Sequence, residues 1–154
     1  MTLGNPDLAS LLLVIPGVSA LVLAALPGYR RSAQINVAAS GLTFLCAGSL
    51  LFQRPVPGLY LFVDDLNIVF VVLSTFIGFT TSAFSASYIE HEIATGKLAP
   101  AYVRFYHAIY QALMFAMNLA LLANNIGLMW VAVEVATLTT VVMVGIYRTP
   151  EALE

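Results

Sequence analysis

Ile126-Gly127-Leu128-Met129-Trp130-Val131-Ala132-Val133-Glu134-Val135-Ala136-Thr137-Leu138-Thr139-Thr140-Val141-Val142-Met143-Val144-Gly145-Ile146-Tyr147 is the stretch on which the fold turns. It holds one charged side chain, Glu134, and no proline. At a rise of about 1.5 Å per residue, a helix of this length crosses the roughly 30 Å hydrocarbon core of a bilayer. The run therefore predicts a membrane-spanning helix over 126–147.

Four more apolar runs precede it, at 8–26, 33–52, 66–88 and 105–123, each bounded by polar residues or Pro-Gly breaks. Composition agrees: of 154 residues, 60% are hydrophobic and 9% charged, against roughly 25% charged in an ordinary soluble domain. Mean hydropathy is +0.92. The expected architecture is an all-α membrane protein of five transmembrane helices forming one membrane domain over 1–154. A net charge of -2 excludes the basic surface that nucleic-acid binding needs, and one cysteine, Cys46, excludes a disulfide framework. Cys46 lies inside an apolar run and is expected to pack. No basic n-region or small-residue cleavage site marks a removable leader, so the first span is expected to be retained. No internal repeat or low-complexity tract occurs.

Local signals refine the picture. Asn5-Pro6-Asp7 offers a cap to the first helix, Pro16-Gly17 predicts a kink within it, and Pro27-Gly28 ends it. Gln53-Arg54-Pro55-Val56-Pro57-Gly58 reads as turn, and Leu59–Val63 as a short extended element between helices two and three. Asp64 and Asp65 stand where a carboxylate caps the third helix. Ser74, Gly78, Ser82 and Ala86 recur every fourth residue, a face for close helix packing. Arg30, Arg31, Lys97, Arg104 and Arg148 fall on one side of the predicted membrane and Arg54 on the other, which predicts cytoplasmic odd-numbered connections and an outside N-terminus. Glu90-His91-Glu92, in the long connection to Arg104, lacks a closed set of metal ligands and reads as solvated loop.

Glu134 is the one Asp, Glu, Lys or Arg within the five runs. An ionisable group at that depth is costly, and function is its default explanation, with a structural polar contact as the bland one. Desolvation raises a membrane carboxyl's proton affinity and a neighbouring cation lowers it, so a moving partner can load and unload its proton. Trp130 and Leu138 lie one turn to either side. Thr137, Thr139 and Thr140 either bond to carbonyls of their own helix or line a water path. On the fourth helix Arg104, His107, Gln111, Asn118 and Asn125 share one slowly drifting stripe. For Gln111 and Asn118 this leaves interhelical hydrogen bonding or a hydrated route; His107 either passes protons or simply sits near the surface.

Asp64-Asp65-Leu66-Asn67, Phe105-Tyr106, Asn124-Asn125, Leu128–Glu134, Ala136–Thr140 and Tyr147-Arg148-Thr149-Pro150-Glu151-Ala152 together resemble the antiporter-like membrane subunits of complex I and of energy-converting hydrogenases. Ala136–Thr140 and Tyr147–Ala152 most resemble hydrogenase-4 component F. Complex I members place Trp directly before the helix-five glutamate, whereas Trp130 precedes Glu134 by four, which favours the hydrogenase branch. The resemblance implies that Glu134 transfers protons, that His107, Gln111, Asn118 and Thr137 are candidates for a proton path, and that Asp64 is structural. It also implies the N-terminal part of a fold of about fourteen helices built from inverted repeats, in which a lysine on the seventh helix partners the glutamate. The remaining helices are expected from a continuation of the chain or from a second polypeptide. The implied function is a proton-translocating subunit of a hydrogenase-4 or NADH dehydrogenase-like complex in the cell membrane. Its partners would be other membrane subunits, a peripheral redox arm and the lipid bilayer, without nucleic acid. With no Cys pair, axial-ligand pair or nucleotide loop in the sequence, redox catalysis is expected in partner subunits, and no cofactor or metal is assigned here. A non-pumping scaffold subunit, or an unrelated small transporter or channel, remains the alternative.

Overall fold

A computed structural model describes residues 7–96 and 105–145. Five α-helices follow one another: α1 Leu8–Ala25, α2 Tyr29–Ser49, α3 Asp65–Ala94, α4 Tyr106–Leu122 and α5 Ile126–Val144. α1, α3 and α5 are long and apolar enough to cross a membrane; α4 is apolar but shorter, at 17 residues. α2 is not in the first group, since Arg30, Arg31, Ser32, Gln34 and Asn36 occupy its first turns.

The helix ends differ from the apolar runs most at two places, and α2 also stops at Ser49, three residues short of its run, where Leu50, Leu51 and Phe52 form a turn. α2 begins at Tyr29, so Arg30 and Arg31 belong to its first turn and the link from α1 is only Leu26–Gly28. Gly28 makes this link possible, with φ at 103°, a backbone conformation that side chains disfavour. α3 runs on to Ala94, so Glu90, His91 and Glu92 are helical and not loop. In both places charged residues with good helix propensity extend a helix past its apolar part. Glu90 accepts from Arg30 Nε at 2.8 Å on the surface, tying the ends of α2 and α3 together, and Glu92 is buried. α1 passes through Pro16 without interruption. Asp7 holds the N-cap position of α1, but its side chain makes no capping bond. Asn5, Pro6, Lys97, Arg104 and Tyr147–Ala152 lie outside the described residues.

At the opposite end the expected cap and extended element are present. Asp64 accepts from Asn67 N at 2.8 Å while Asn67 Oδ1 accepts from Asp64 N at 2.7 Å, a reciprocal capping box. Arg54 pairs with Asp65 beside it. Leu61 pairs antiparallel with Ala123: Phe62 N donates to Leu122 O at 2.9 Å and Asn124 N to Tyr60 O at 2.8 Å. This stitch fastens the α2–α3 connection to the tight α4–α5 corner, where Asn125 caps α5 through Leu128 N at 2.7 Å.

α4 is the hub. It packs against α1 and α5, and also touches α2 and α3, while α2 bridges α1 and α3. Leu12, Ala47, Leu50, Val71 and Leu122 seal the end near the stitch, where Cys46 packs at their edge. Glycines set the crossings: Gly17 faces the Phe115 ring, Gly41 the Phe79 ring, and Gly78 the Met114 thioether. At the tightest crossing, Tyr110 Oη donates to Gly78 O at 2.5 Å, and a Cβ on Gly78 would fall 2.4 Å from Met114 Cε. Gly78 and Ser82 are buried on the small-residue face of α3, as its spacing predicts.

Gly78→Leu should therefore force α3 from α4 and cost about 1–3 kcal/mol, the usual range for overpacking. Gly48→Leu, at a helix position with open space around it, should be tolerated. Thermal unfolding of the detergent-extracted protein checks this: the midpoint should fall by several degrees for the first variant only.

Candidate functional site

The stripe on α4 turns inward. His107, Gln111 and Asn118 are each 0–1% exposed. The face that α2 presents carries Ser32, Asn36, Ser40 and Thr43, all buried and spaced four, four and three residues apart. Gln111 Nε2 sits between the helices, donating to Asn36 Oδ1 at 2.8 Å, with Ser40 Oγ at 2.9 Å and Asn36 O at 3.2 Å. Asn118 Nδ2 donates toward Leu12 O of α1 at 3.4 Å. Interhelical bonding is thus in place for Gln111 and Asn118. His107 is buried rather than superficial, with ring centroids of Tyr29 and Tyr106 each 5.2 Å away.

Several atoms of this seam have no partner among the described residues: Asn36 Nδ2, Gln111 Oε1, Asn118 Oδ1 and both ring nitrogens of His107. An orphaned buried polar group costs about 1–3 kcal/mol, so several together are a conspicuous feature. Asn36 and Ser40 escape a reading centred on α4, although Ser32-Asn36-Ser40 repeats at the same helical spacing that singles out His107 and Gln111. Arg104 is outside the described residues, and Asn125 serves as the α5 cap.

Glu134 lies elsewhere. α5 packs chiefly on α4, and Ala132 is its one buried residue. Glu134 is exposed, as are Trp130 and Leu138 at 63% each, so these five helices do not supply the burial expected for its carboxyl. Thr137 donates to Val133 O at 3.0 Å, Thr139 to Val135 O at 2.9 Å and Thr140 to Ala136 O at 2.8 Å. These hydroxyls thus bond within their helix, the plainer of their two expected roles. Thr137 also borders an apolar groove of about 690 Å³ between α3, α4 and α5, with Ser74, Leu113 and Met117 among its walls. The described helices therefore bring His107, Gln111 and Asn118 together but leave Glu134 and Thr137 on another side of α4.

A bundle of apolar helices with a closed polar seam and a carboxylate on an outer helix defines a class, the helical membrane protein. Within that class the chain is similar to one curated relative: it is 53% identical over 146 residues to the Hydrogenase-4 component F homolog of Methylacidiphilum infernorum (isolate V4). The match covers 95% of this chain and 31% of the relative, so the chain spans about a third of that protein's length. No family model matches the chain.

Gln111→Leu should destabilise the bundle by about 1 kcal/mol or more, because Asn36 and Ser40 lose their shared donor. Asn36→Leu in the same chain should recover part of the loss, since both amides are then gone. A double-mutant cycle on unfolding free energy measures this coupling; strict additivity would show that the amide pair holds nothing together.

Proposed function

We propose that the chain is part of a proton-translocating membrane subunit of a hydrogenase-4 or NADH dehydrogenase-like complex, with Glu134 as a proton-transfer residue. The observation that carries this reading is the position of Glu134: a carboxylate amid Trp130, Val131, Val133, Val135 and Leu138, on a helix whose threonines are self-bonded. A carboxyl so placed is tolerated in a membrane only against protein or water, and its principal use there is to take up and release protons. Similarity to a hydrogenase-4 component F homolog over nearly the whole chain supports the same assignment.

In this reading the five helices cross the cell membrane with the N-terminus outside. Arg30 and Arg31, at the end shared by α2 and the α3 C-terminus, face the cytoplasm, and Arg54 faces out. Other membrane subunits and a peripheral redox arm supply the electron transfer, together with the cationic partner of Glu134. His107, Gln111 and Asn118 belong to a separate polar path inside the bundle, and Thr137 stands at the groove beside α5.

In the assembled complex, Glu134→Gln should preserve assembly and lower redox-coupled proton pumping at least tenfold, because Gln keeps the volume and loses the titratable proton. Proton-to-electron stoichiometry in sealed vesicles, at matched amounts of complex, is the measurement. A wild-type ratio would make Glu134 structural and favour the scaffold reading.

A further inference from the structure

The polar seam between α2 and α4 holds more hydrogen-bonding capacity than its side chains can satisfy. An imidazole in either neutral tautomer carries one N–H and one lone pair, so His107 leaves both a donor and an acceptor open. The Asn36–Gln111 pair uses one end of each amide and leaves the other, Nδ2 and Oε1, without a partner. Exchanging the ends of either amide moves the orphan without removing it. Asn118 Oδ1 repeats the deficit two turns further along α4. The stripe from His107 to Asn118 is roughly 16 Å long at 1.5 Å per residue.

No further protein subunit can reach these atoms, because this chain's own helices already cover His107, Asn36, Gln111 and Asn118 to 99% or more. What completes them must be small and must both donate and accept, since donor and acceptor atoms alike are left open along the seam. We propose that the α2–α4 seam is a water-binding site, in which a row of ordered water molecules bridges His107, the Asn36–Gln111 pair and Asn118. A water accepting from Asn36 Nδ2 and donating to Gln111 Oε1 completes the amide pair; others serve the two imidazole nitrogens and Asn118 Oδ1. Asn36 and Ser40 thereby become members of the site on equal terms with the α4 stripe. The proposal is independent of Glu134, which lies on the other side of α4: the water row can be present in a protein that pumps nothing.

Electron cryomicroscopy of the assembled complex, at a resolution showing ordered water, tests this directly. Density within hydrogen-bonding distance of Gln111, Asn36 and His107 is expected; ordered side chains with no such density, or with protein partners for these atoms, would overturn it. Synchrotron hydroxyl-radical footprinting of the same complex gives a second readout, because radicals born from bound water label the residues beside it. His107 should be oxidised despite its burial, and its labelling rate should fall at least threefold in the Asn36→Leu, Gln111→Leu double variant. An unlabelled wild-type His107, or a rate unchanged in the double variant, would count against the site.

Discussion

Gln111 Nε2, shared among Asn36 Oδ1, Asn36 O and Ser40 Oγ inside the bundle, is the contact on which the arrangement of α2 and α4 depends. In hydrocarbon an unpartnered amide has no water to fall back on, so a polar stripe on one helix must meet a polar stripe on another. α4 carries His107, Gln111 and Asn118, and α2 answers with Ser32, Asn36 and Ser40. The two stripes fix which face each helix turns inward. α1 closes over Asn118 and α3 comes close through Gly78, so the hub position of α4 follows from its polarity as much as from its apolar residues.

The same constraint is left open at α5. Its backbone and threonine hydroxyls are internally satisfied, its N-terminus is capped by Asn125, and its packing onto α4 buries only Ala132. Glu134, Trp130 and Leu138 share exposed positions around the rest of the helix. The polar stripe of α4 is thus covered by neighbouring helices, whereas the Glu134 face of α5 is left uncovered by the described residues. Proton chemistry at Glu134, as proposed, depends on what covers this face.

Much of this was legible in the sequence. Long apolar runs, broken only by Glu134, mark where all five helices lie, since an apolar run of this length favours a helix. Asp64-Asp65-Leu66-Asn67 predicts the capping box, and Gln53–Val63 the turn and extended element that become the stitch to Ala123. The start of α2 and the end of α3 were not legible from hydropathy, since Arg30, Arg31, Glu90 and Glu92 lie beyond the apolar run yet extend the helix readily. The α4 stripe was visible as a pattern, but its partner was not: a four-residue spacing says which side chains share a face, and only packing decides which faces meet. The expected burial of Glu134 is likewise not supplied by these five helices.

The central claim is that polar demand is met inside the bundle at α4 and must be met from outside at α5. Photo-cross-linking from position 138, with a photoreactive residue replacing Leu138 on the turn after Glu134, tests it most directly in native membranes. The account predicts adducts to polypeptide other than residues 7–145, whether a further segment or another subunit. Adducts to lipid only would show that Glu134's side of α5 faces the bilayer, and would contradict it.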